Sequence, residues 1–382
     1  LALAMALSLM TVAFAADAGD YGDYDDITYN EAVDVMTAIG VFNGVGDGTN
    51  FDPDGTLTRE QAAKIITYML LGQEQADTLT TVVAPYSDVA ATRWSAGAIA
   101  YCTNAGIIAG TGAGTFEPTR AVTGLEFAKM LLVALGYNAD QEGLEGSAWA
   151  INAASLGVAA GLSENLTAVT LSGALTREEA AQMAFNTEKA VMVNYSTKTE
   201  VTTGDGTVTI TGGRYDRTNA GATEGNIDHD GYLNFAEYYT TDLMATADSD
   251  AFNNPATTWN FKGADIGTYV DNAELTFTSE VTYKDLKKAL PSAVVSNVNN
   301  NYYYYVDGAS VMETSFVGDL RDGEDWNIND DANNTKTGGT GNGVLSQVYY
   351  DYGAAACGGA PAHYAVVLTS AHTFATQGGV SE

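Results

Sequence analysis

The chain has 382 residues, 46% of them hydrophobic, and its 48 Asp and Glu outnumber its 16 Lys and Arg, giving a net charge of −32. This length predicts two or three folded domains. The strong negative charge disfavours nucleic-acid binding. The sequence contains no Walker loop, no Gly-x-Ser-x-Gly nucleophile elbow and no zinc-like spacing of its three histidines.

The first fifteen residues have the composition of an export signal. The stretch 1–15 is apolar and ends in Ala13-Phe14-Ala15, the small-x-small pattern of a signal-peptidase site. It is too short to span a bilayer. We therefore predict a secreted protein with no membrane insertion after signal removal. The acidic stretch 16–26 that follows is predicted to be a flexible leader.

Three later segments share a helix-start pattern in which Thr is followed three residues on by Glu or Gln, and then by an apolar helical stripe. This is the capping box, in which the Thr hydroxyl accepts from a helix amide and the Glu or Gln side chain accepts from the Thr amide. A Gly-x-x-x-Gly pair precedes each one and predicts the end of an earlier helix. The three boxes are Thr58 with Gln61, Thr123 with Glu126, and Thr176 with Glu179.

The pattern predicts three helix–loop–helix modules, at 27–80, 81–140 and 141–197. They are expected to stack, because one helix pair cannot bury its own apolar face. Two of the capped helices begin with arginine, Arg59 and Arg177. The helix dipole is already positive there, so a cation indicates a site for an anion. The alternative is a surface arginine paired with its neighbour, Glu60 or Glu178.

These modules resemble the S-layer homology module. The resemblance is carried by the glycine pairs, the Phe-x-Pro loops at 51–53 and 116–118, and the Leu-Thr-Arg-Glu elements that begin at Leu57 and Leu175. It covers roughly residues 22–197. It implies an all-α, pseudo-threefold prism that anchors a bacterial surface protein to an anionic secondary cell wall polysaccharide, commonly one with ketal-linked pyruvate. It also implies a location on the wall of a Gram-positive-type bacterium.

The resemblance further implies that Arg59 and Arg177 face the pyruvyl carboxylate in grooves between modules, where free helix-start amides add donors. At the second cap Gly124 replaces the arginine and Leu125 replaces the acid. We therefore expect two competent grooves, and a third that keeps its amides but lacks a fixed charge. The other residues expected to contact carbohydrate are Thr58, Glu60, Asp88, Trp94, Trp149, Thr176 and Glu178.

Residues 198–382 are rich in Thr, Val, Tyr, Asn and Gly, a composition typical of strands. Short non-consecutive strands indicate a sandwich or small barrel, so we predict an α+β multidomain chain with an extracellular β-rich region. The predicted strands are 200–211, 274–282, 302–306, 343–352 and 363–370, with one short helix at 283–290.

A twelve-residue stretch within the β-rich region has the spacing of a calcium loop around Gly231. The segment before it is a poor entering helix, so the alternative is an acidic turn that leads into a helix over 235–244. No other cofactor is predicted. The candidate ligands are Asn226, Asp228, Asp230, the Tyr232 carbonyl and Glu237.

The sequence thus favours a non-enzymatic surface protein whose helical modules bind wall polysaccharide and which self-associates in a surface lattice. One alternative is a wall-tethered hydrolase such as a glycosidase, whose catalytic domain begins after residue 200 or lies in a longer parent chain. Paired carboxylates in a deep groove would favour that enzyme. Another alternative is a lattice protein whose assembly depends on calcium.

Overall fold

The computed structural model describes residues 19, 21–166, 171–195, 199–203, 206–210, 215–220, 225–228, 230–277, 302–306, 309–310, 345–351 and 364–370. The chain divides into two compact units, Leu1–Ala245 with Trp259–Gly267, and Thr246–Thr258 with Thr268–Glu382. The first unit therefore continues past position 197, the predicted end of the third module. The predicted signal segment 1–15 and the predicted helix 283–290 lie outside the described residues.

The predicted helix pairs are present. We call the pairs α1–α2, α4–α5 and α6–α7 repeats 1, 2 and 3. The helices are α1 (Asn30–Ala38), α2 (Arg59–Leu71), α3 (Gln73–Asp77), α4 (Ala96–Asn104), α5 (Gly124–Ala134), α6 (Trp149–Ala159), α7 (Arg177–Lys189) and α8 (Phe235–Tyr239).

Each first helix of a repeat ends at a glycine in the left-handed region, where a side chain would be strained. In repeats 1 and 2 this is the first glycine of the pair, Gly40 (φ 77°) and Gly106 (φ 72°). In repeat 3 it is the second, Gly161 (φ 75°), and Gly157 lies inside α6. The glycine pair of repeat 3 is therefore displaced along its helix relative to the other two.

The three repeats form a closed ring. The second helix of each repeat packs against the first helix of the next, α2 against α4, α5 against α6 and α7 against α1. A triangle of backbone hydrogen bonds joins the residues just before the capped helices. The three bonds are Leu57 N to Leu175 O (3.0 Å), Leu175 N to Val122 O (3.0 Å) and Val122 N to Leu57 O (2.9 Å).

Residues 21–26 belong to repeat 1, so the flexible leader predicted at 16–26 is wrong for this part. Tyr24–Asp26 form a 3₁₀ turn, and Tyr21 and Ile27 are buried. The Gly22 amide donates to the Thr49 carbonyl at 2.8 Å. Acidic composition suggested a solvated segment, but the aromatic and aliphatic residues beside the acids give it a surface to bury.

Trp259, far along the chain, packs into the first unit at the helices of repeats 1 and 3. Its side chain is 2% exposed, and its ring meets the edge of Phe185 with centroids 5.2 Å apart. The indole Nε1 donates to Glu31 Oε1 at 2.7 Å. No sequence signal marked this contact, because a lone Trp in a strand is consistent with any buried position.

Glu188, near the end of α7, is a fully buried carboxylic acid. Its Oε2 accepts from Thr240 Oγ1 at 3.1 Å, whereas its Oε1 has no hydrogen-bond partner among the described residues. Desolvation raises the pKa of Glu188 to about 8. The carboxyl is thus held mostly protonated at neutral pH.

The described strands form four sheets. A five-stranded sheet has the order β10-β9-β12-β11-β8, in which only β9 and β12 are parallel, and a three-stranded sheet has the order β5-β6-β7. Two-stranded sheets pair β1 with β4 and β2 with β3. The strands are β1 (Val193–Asn194), β2 (Thr199–Thr203), β3 (Gly206–Ile210), β4 (Asp216–Arg217), β5 (Leu243–Ser249), β6 (Pro255–Phe261), β7 (Ala264–Val270), β8 (Leu275–Phe277), β9 (Tyr302–Val306), β10 (Ala309–Ser310), β11 (Leu345–Asp351) and β12 (Tyr364–Ser370).

The α+β class is confirmed, with helices in the N-terminal part and sheets in the C-terminal part. The predicted strand 302–306 coincides with β9, and β8, β11 and β12 lie within the strands predicted at 274–282, 343–352 and 363–370. The single strand predicted at 200–211 is instead the β2–β3 hairpin. The helix predicted to run to 244 ends at Tyr239, and β5, β6 and β7 were not predicted. The sandwich or barrel stays a prediction.

No helix among the described residues is both long and apolar enough to cross a bilayer.

Candidate functional site

All three second helices begin with the predicted capping box. Thr58 N donates to Gln61 Oε1 at 2.8 Å, and Thr176 N donates to Glu179 Oε2 at 2.8 Å. The hydroxyls of Thr58 and Thr176 accept from the amides of the same partners. The two threonines thus have a structural task at the helix start, which accounts for the motif without a ligand.

The next two amides of each capped helix are also occupied. They donate to carbonyl groups of the neighbouring repeat and extend the triangle of hydrogen bonds. The expectation that these amides are free for an anion is therefore wrong at all three helices. The bonds are Arg59 N to Arg120 O, Glu60 N to Pro118 O, Arg177 N to Gly55 O, Glu178 N to Pro53 O, Gly124 N to Gly173 O and Leu125 N to Leu171 O, with lengths of 2.8 to 3.2 Å.

Arg177 crosses from repeat 3 to the loop of repeat 1, a contact we call the Arg177 junction. Its Nε donates to Phe51 O at 2.8 Å and its Nη2 donates to Asn43 O at 2.9 Å. The guanidinium lies 4.9 Å from the centroid of the Phe51 ring. Burial lowers the pKa of Arg177 from its usual value, and the guanidinium stays protonated. Among the described residues no carboxylate lies within 4 Å of it.

Arg59 makes the same contacts from repeat 1 to the loop of repeat 2, which we call the Arg59 junction. Its Nε donates to Phe116 O at 3.0 Å and its Nη2 donates to Ala109 O at 3.1 Å. Its Nη1 is paired with Glu126 Oε1 at 3.2 Å. All three guanidinium nitrogens of Arg59 therefore have partners inside the protein, whereas two of the three do at Arg177.

The two glutamates that follow these arginines also reach the neighbouring repeat. Glu60 accepts two hydrogen bonds of 2.7 Å from Arg93 and one of 2.5 Å from Ser95 Oγ. Glu178 Oε2 accepts from Thr28 N at 2.7 Å. Both glutamates are buried. The alternative, in which each arginine pairs with its adjacent glutamate, is therefore wrong. Both acids have structural partners in the next repeat, and their carbohydrate contact stays a prediction.

At the third helix start, the Gly124 junction, the space of the arginine is filled. A Cβ added to Gly124 would lie 2.9 Å from both Cα and O of Leu171, too close for an ordinary contact. The expectation of a groove that lost only its charge is therefore wrong. This junction has closed around an apolar residue.

Asp88 braces the loop of repeat 2. Its Oδ1 accepts from Phe116 N at 2.8 Å and its Oδ2 accepts from Glu117 N at 2.7 Å. Asp23 makes the same pair of bonds to the amides of residues 51 and 52 in repeat 1, at 2.8 and 2.7 Å. The predicted sugar contact of Asp88 is thus better described as a loop brace. The equal separation of 28 residues between each acid and its Phe is the signal by which Asp23 could have been found.

A groove opens beside the Arg177 guanidinium, between α2 and the segment before α4. Its cavity volume is about 150 Å³. Trp94, predicted to contact sugar, lines it with a side chain 58% exposed. At the edge of the groove, Lys64 Nζ and Tyr68 Oη both donate hydrogen bonds of 2.8 Å to Asp77 Oδ1. The side chains that line this groove include Phe42, Gln61, Lys64, Tyr68, Trp94 and Arg177.

Trp149, the other tryptophan predicted to contact sugar, is the first residue of α6 and is half-buried. It does not line the Arg177 groove, so the structure does not bring the two tryptophans together. A direct role for Trp149 stays a prediction.

The predicted calcium loop is folded around its own hydrogen bonds. Glu237 accepts from the Gly225 and Asn234 amides, and Asp230 N donates to Asp228 Oδ1 at 3.1 Å. Among the described residues, which exclude His229, no group of three or more His, Cys, Asp or Glu side chains is placed to hold a metal ion. Asn226 and the Tyr232 backbone could supply only carbonyl oxygens, and calcium binding at this loop stays a prediction.

Two stretches of this chain match a known protein family. The family model of the S-layer homology domain matches residues 20–63 and 85–128. A cell surface protein of Thermoanaerobacter kivui is 26% identical over 86% of this chain and 47% of its own length. A surface layer protein of Brevibacillus choshinensis is 30% identical over 42% of this chain and 14% of its own length.

A middle cell wall protein of Brevibacillus brevis is 29% identical over 49% of this chain and 18% of its own length. The chain thus spans less than half the length of each of these relatives. The first family match begins at residue 20, which agrees with the packing of residues 21–26 into repeat 1. The matched stretches contain the Thr58 cap of repeat 1 and the Thr123 cap of repeat 2, and repeat 3 lies outside them. Two of the three helical repeats therefore each contain a match to the S-layer homology domain.

Proposed function

We propose that the helical ring anchors a non-enzymatic protein to the bacterial cell surface by binding an anionic, pyruvylated wall polysaccharide. Two S-layer homology matches and relatives described as surface layer and cell wall proteins support this function. We further propose that repeat 3 completes a pseudo-threefold unit with the two matched repeats, because its cap and its backbone bonds repeat theirs. Self-association in a lattice on a Gram-positive-type wall extends the same proposal.

The observation that carries this proposal is the groove beside Arg177. Its guanidinium retains one nitrogen, Nη1, with no hydrogen-bond partner among the described residues. The carboxylates of Asp52 and Asp23 act on it only from beyond 4 Å. An acidic ligand group can therefore reach a fixed positive charge while a sugar ring stacks on the exposed face of Trp94.

The net charge of −32 does not prevent this contact. Exposed charges are screened over about 8 Å at physiological salt. A hydrogen bond to a charged group contributes about 1.5 to 3 kcal/mol at contact. The local interaction in the groove therefore outweighs the long-range repulsion between an acidic protein and an acidic polymer.

The test is sedimentation of the protein with purified walls, before and after removal of the pyruvyl groups. We expect binding to walls that carry pyruvate and little binding to walls that lack it. Trp94→Ala should weaken binding about tenfold, because an aromatic contact of this kind contributes about 1 to 1.5 kcal/mol. Trp149→Ala, at the start of the equivalent helix in repeat 3, is the matched control and should have little effect. Equal binding to both wall preparations would contradict the proposal.

A further inference from the structure

The Arg59 and Arg177 junctions differ at the third position of the helix that faces each arginine, and also at Arg120, whose counterpart at the Arg177 junction is Gly55. The third-position residue is Glu126 opposite Arg59 and Gln61 opposite Arg177. Both cap their helices in the same way, since Glu126 Oε2 accepts from Thr123 N at 3.0 Å and Gln61 Oε1 accepts from Thr58 N at 2.8 Å. Both side chains thus use one terminal oxygen for the cap, and the two junctions differ in the chemical identity of the other terminal atom.

At the Arg59 junction that remaining atom is a carboxylate oxygen. Glu126 Oε1 pairs with Arg59 Nη1 at 3.2 Å and with Arg120 Nη2 at 2.5 Å. The side chains of Arg59 and Glu126 are only 9% and 20% exposed. Glu126 therefore occupies, relative to its arginine, the place that the carboxylate of an acidic ligand would need.

At the Arg177 junction the remaining atom is an amide nitrogen. Because Gln61 Oε1 accepts from the cap amide, Gln61 Nε2 is the free end of the side chain, and it can only donate. Gln61 and Arg177 line the same groove. Among the described residues neither Gln61 Nε2 nor Arg177 Nη1 has an acceptor. Two donors thus share a groove that supplies no acceptor for them.

We propose that Glu126 is a built-in competitor that closes the Arg59 junction to acidic sugars, while Gln61 leaves the Arg177 junction open. This inference rests on the proposed function and assigns its specificity to one helix position. It replaces the expectation of two competent grooves with a single one per chain. An acidic ligand at the Arg59 junction would have to displace a carboxylate that the chain holds permanently beside the guanidinium.

A lysine and a tryptophan expected at a sugar site recur at both junctions at the same sequence spacing. Lys129 follows Glu126 by three residues, as Lys64 follows Gln61. Trp149 precedes Gly161 by twelve residues, as Trp94 precedes Gly106. Exchange of the two third-position residues tests the carboxylate of Glu126 while Arg120 and the other groove residues stay in place.

The experiment titrates a methyl hexopyranoside that bears a ketal-linked pyruvate into the full chain, with its pyruvate methyl ester as the uncharged probe. Calorimetry gives the number of sites, and tryptophan fluorescence with Trp94→Phe or Trp149→Phe identifies the groove. The wild type should bind one equivalent at Trp94. Glu126→Gln should add a second equivalent near Trp149, with an affinity within tenfold of the first, and Gln61→Glu should weaken the Trp94 site at least tenfold.

The double variant Gln61→Glu with Glu126→Gln should move the single site from Trp94 to Trp149. Each substitution has a natural precedent at the other junction, so the caps should be retained, and far-UV circular dichroism checks the fold. Glu179→Gln, at the cap that faces no arginine, is the control and should leave one site at Trp94.

One site at Trp94 in both the wild type and Glu126→Gln would overturn this inference and leave the proposed function standing. Two sites in the wild type would overturn it in the same way. No binding of the acidic probe by any variant would overturn both.

Discussion

The Arg59 and Arg177 junctions join neighbouring repeats through charged side chains, whereas the Gly124 junction joins them through an apolar one. At the first two, an arginine donates to two carbonyls of the next loop and the following glutamate holds the start of the next repeat. At the third, Leu171 packs against a bare backbone. The Thr-Arg-Glu element is thus first a clamp between repeats.

This difference shows that a residue type suited to binding can be used for assembly in the same place. Arg59 and Arg177 were expected to face a ligand, yet both donate most of their hydrogen bonds within the protein. What remains for a ligand is one nitrogen at Arg177 beside an open groove. Changes at each junction should separate the two tasks.

The largest effect is expected from Arg177→Ala. It removes two hydrogen bonds to the carbonyls of Phe51 and Asn43 and leaves buried acceptors unpaired, which should lower the free energy of unfolding by about 3 to 4 kcal/mol. Urea unfolding followed by helical circular dichroism measures it. Arg120→Ala, with a side chain 37% exposed, is the control and should cost about 1 kcal/mol or less. Equal costs would show that Arg177 is not a clamp.

Repeat 3 differs from the other two repeats in a buried titratable side chain, Glu188, which should make stability depend on pH. Glu188 takes the helix position held by Leu70 in repeat 1 and by the buried Leu135 in repeat 2. Its pKa is 4.5 in a solvated chain and about 8 in the fold. Below pH 4.5 the carboxyl is protonated in both states, so it carries no penalty. Between pH 4.5 and 8 only the folded state holds the proton, so stability falls as pH rises.

Glu188→Gln should remove this slope. We expect no gain at pH 4 and a gain of roughly 5 kcal/mol at pH 9, read from thermal or urea unfolding across that range. Glu164→Gln, in the loop that follows α6 of the same repeat, is a control for the added amide. A parallel pH dependence for the wild type and Glu188→Gln would show that the carboxyl is solvated.

Two glycine substitutions test whether the Gly124 junction has space for a side chain at position 124. Gly124→Ala should destabilise by about 1 to 3 kcal/mol, because its new Cβ meets the Leu171 backbone. Gly157→Ala is the matched control inside α6, where the nearest atom to a new Cβ is Ala128 Cβ at 3.8 Å. It should stabilise by about 0.5 to 1 kcal/mol. The same sign for both variants in thermal unfolding would contradict the described packing.

The smallest effect concerns the two loop braces. Asp23→Ala and Asp88→Ala should each cost about 1 kcal/mol, because each acid accepts two backbone hydrogen bonds. Amide hydrogen exchange at residues 51 and 116 should report the loosened loops. Slower or unchanged exchange at Phe51 in Asp23→Ala would contradict the brace and would favour the prediction that residues 21–26 are a flexible leader.

The sequence was sufficient for the helices and their caps, because capping boxes and apolar stripes are local signals. It was not sufficient for the partners of the capped helices. Which carbonyl receives the Arg59 amide depends on how the ring closes, and closure joins residues more than a hundred positions apart. The same limit hid the contact of Trp259 with Glu31.

The site was predicted in part for a similar reason. Trp94 and Arg177 were found from the motif and do line one groove. Glu60, Glu178 and Asp88 were expected to contact carbohydrate from the resemblance, but local spacing does not reveal their hydrogen-bond partners within the protein. The helix predicted at 235–244 was too long because the segment at its end, which begins β5, is rich in Ala, Thr and Asp and suits either state, and strands β5 to β7 were not predicted.

The hydrogen-bond triangle has a consequence for the order of synthesis. The Leu57 amide donates to the Leu175 carbonyl, so the ring cannot close until most of repeat 3 has left the ribosome. The groove that lies on repeat 1 likewise lacks its guanidinium until Arg177 arrives. A chain interrupted before that point would have two complete S-layer homology matches and no closed ring.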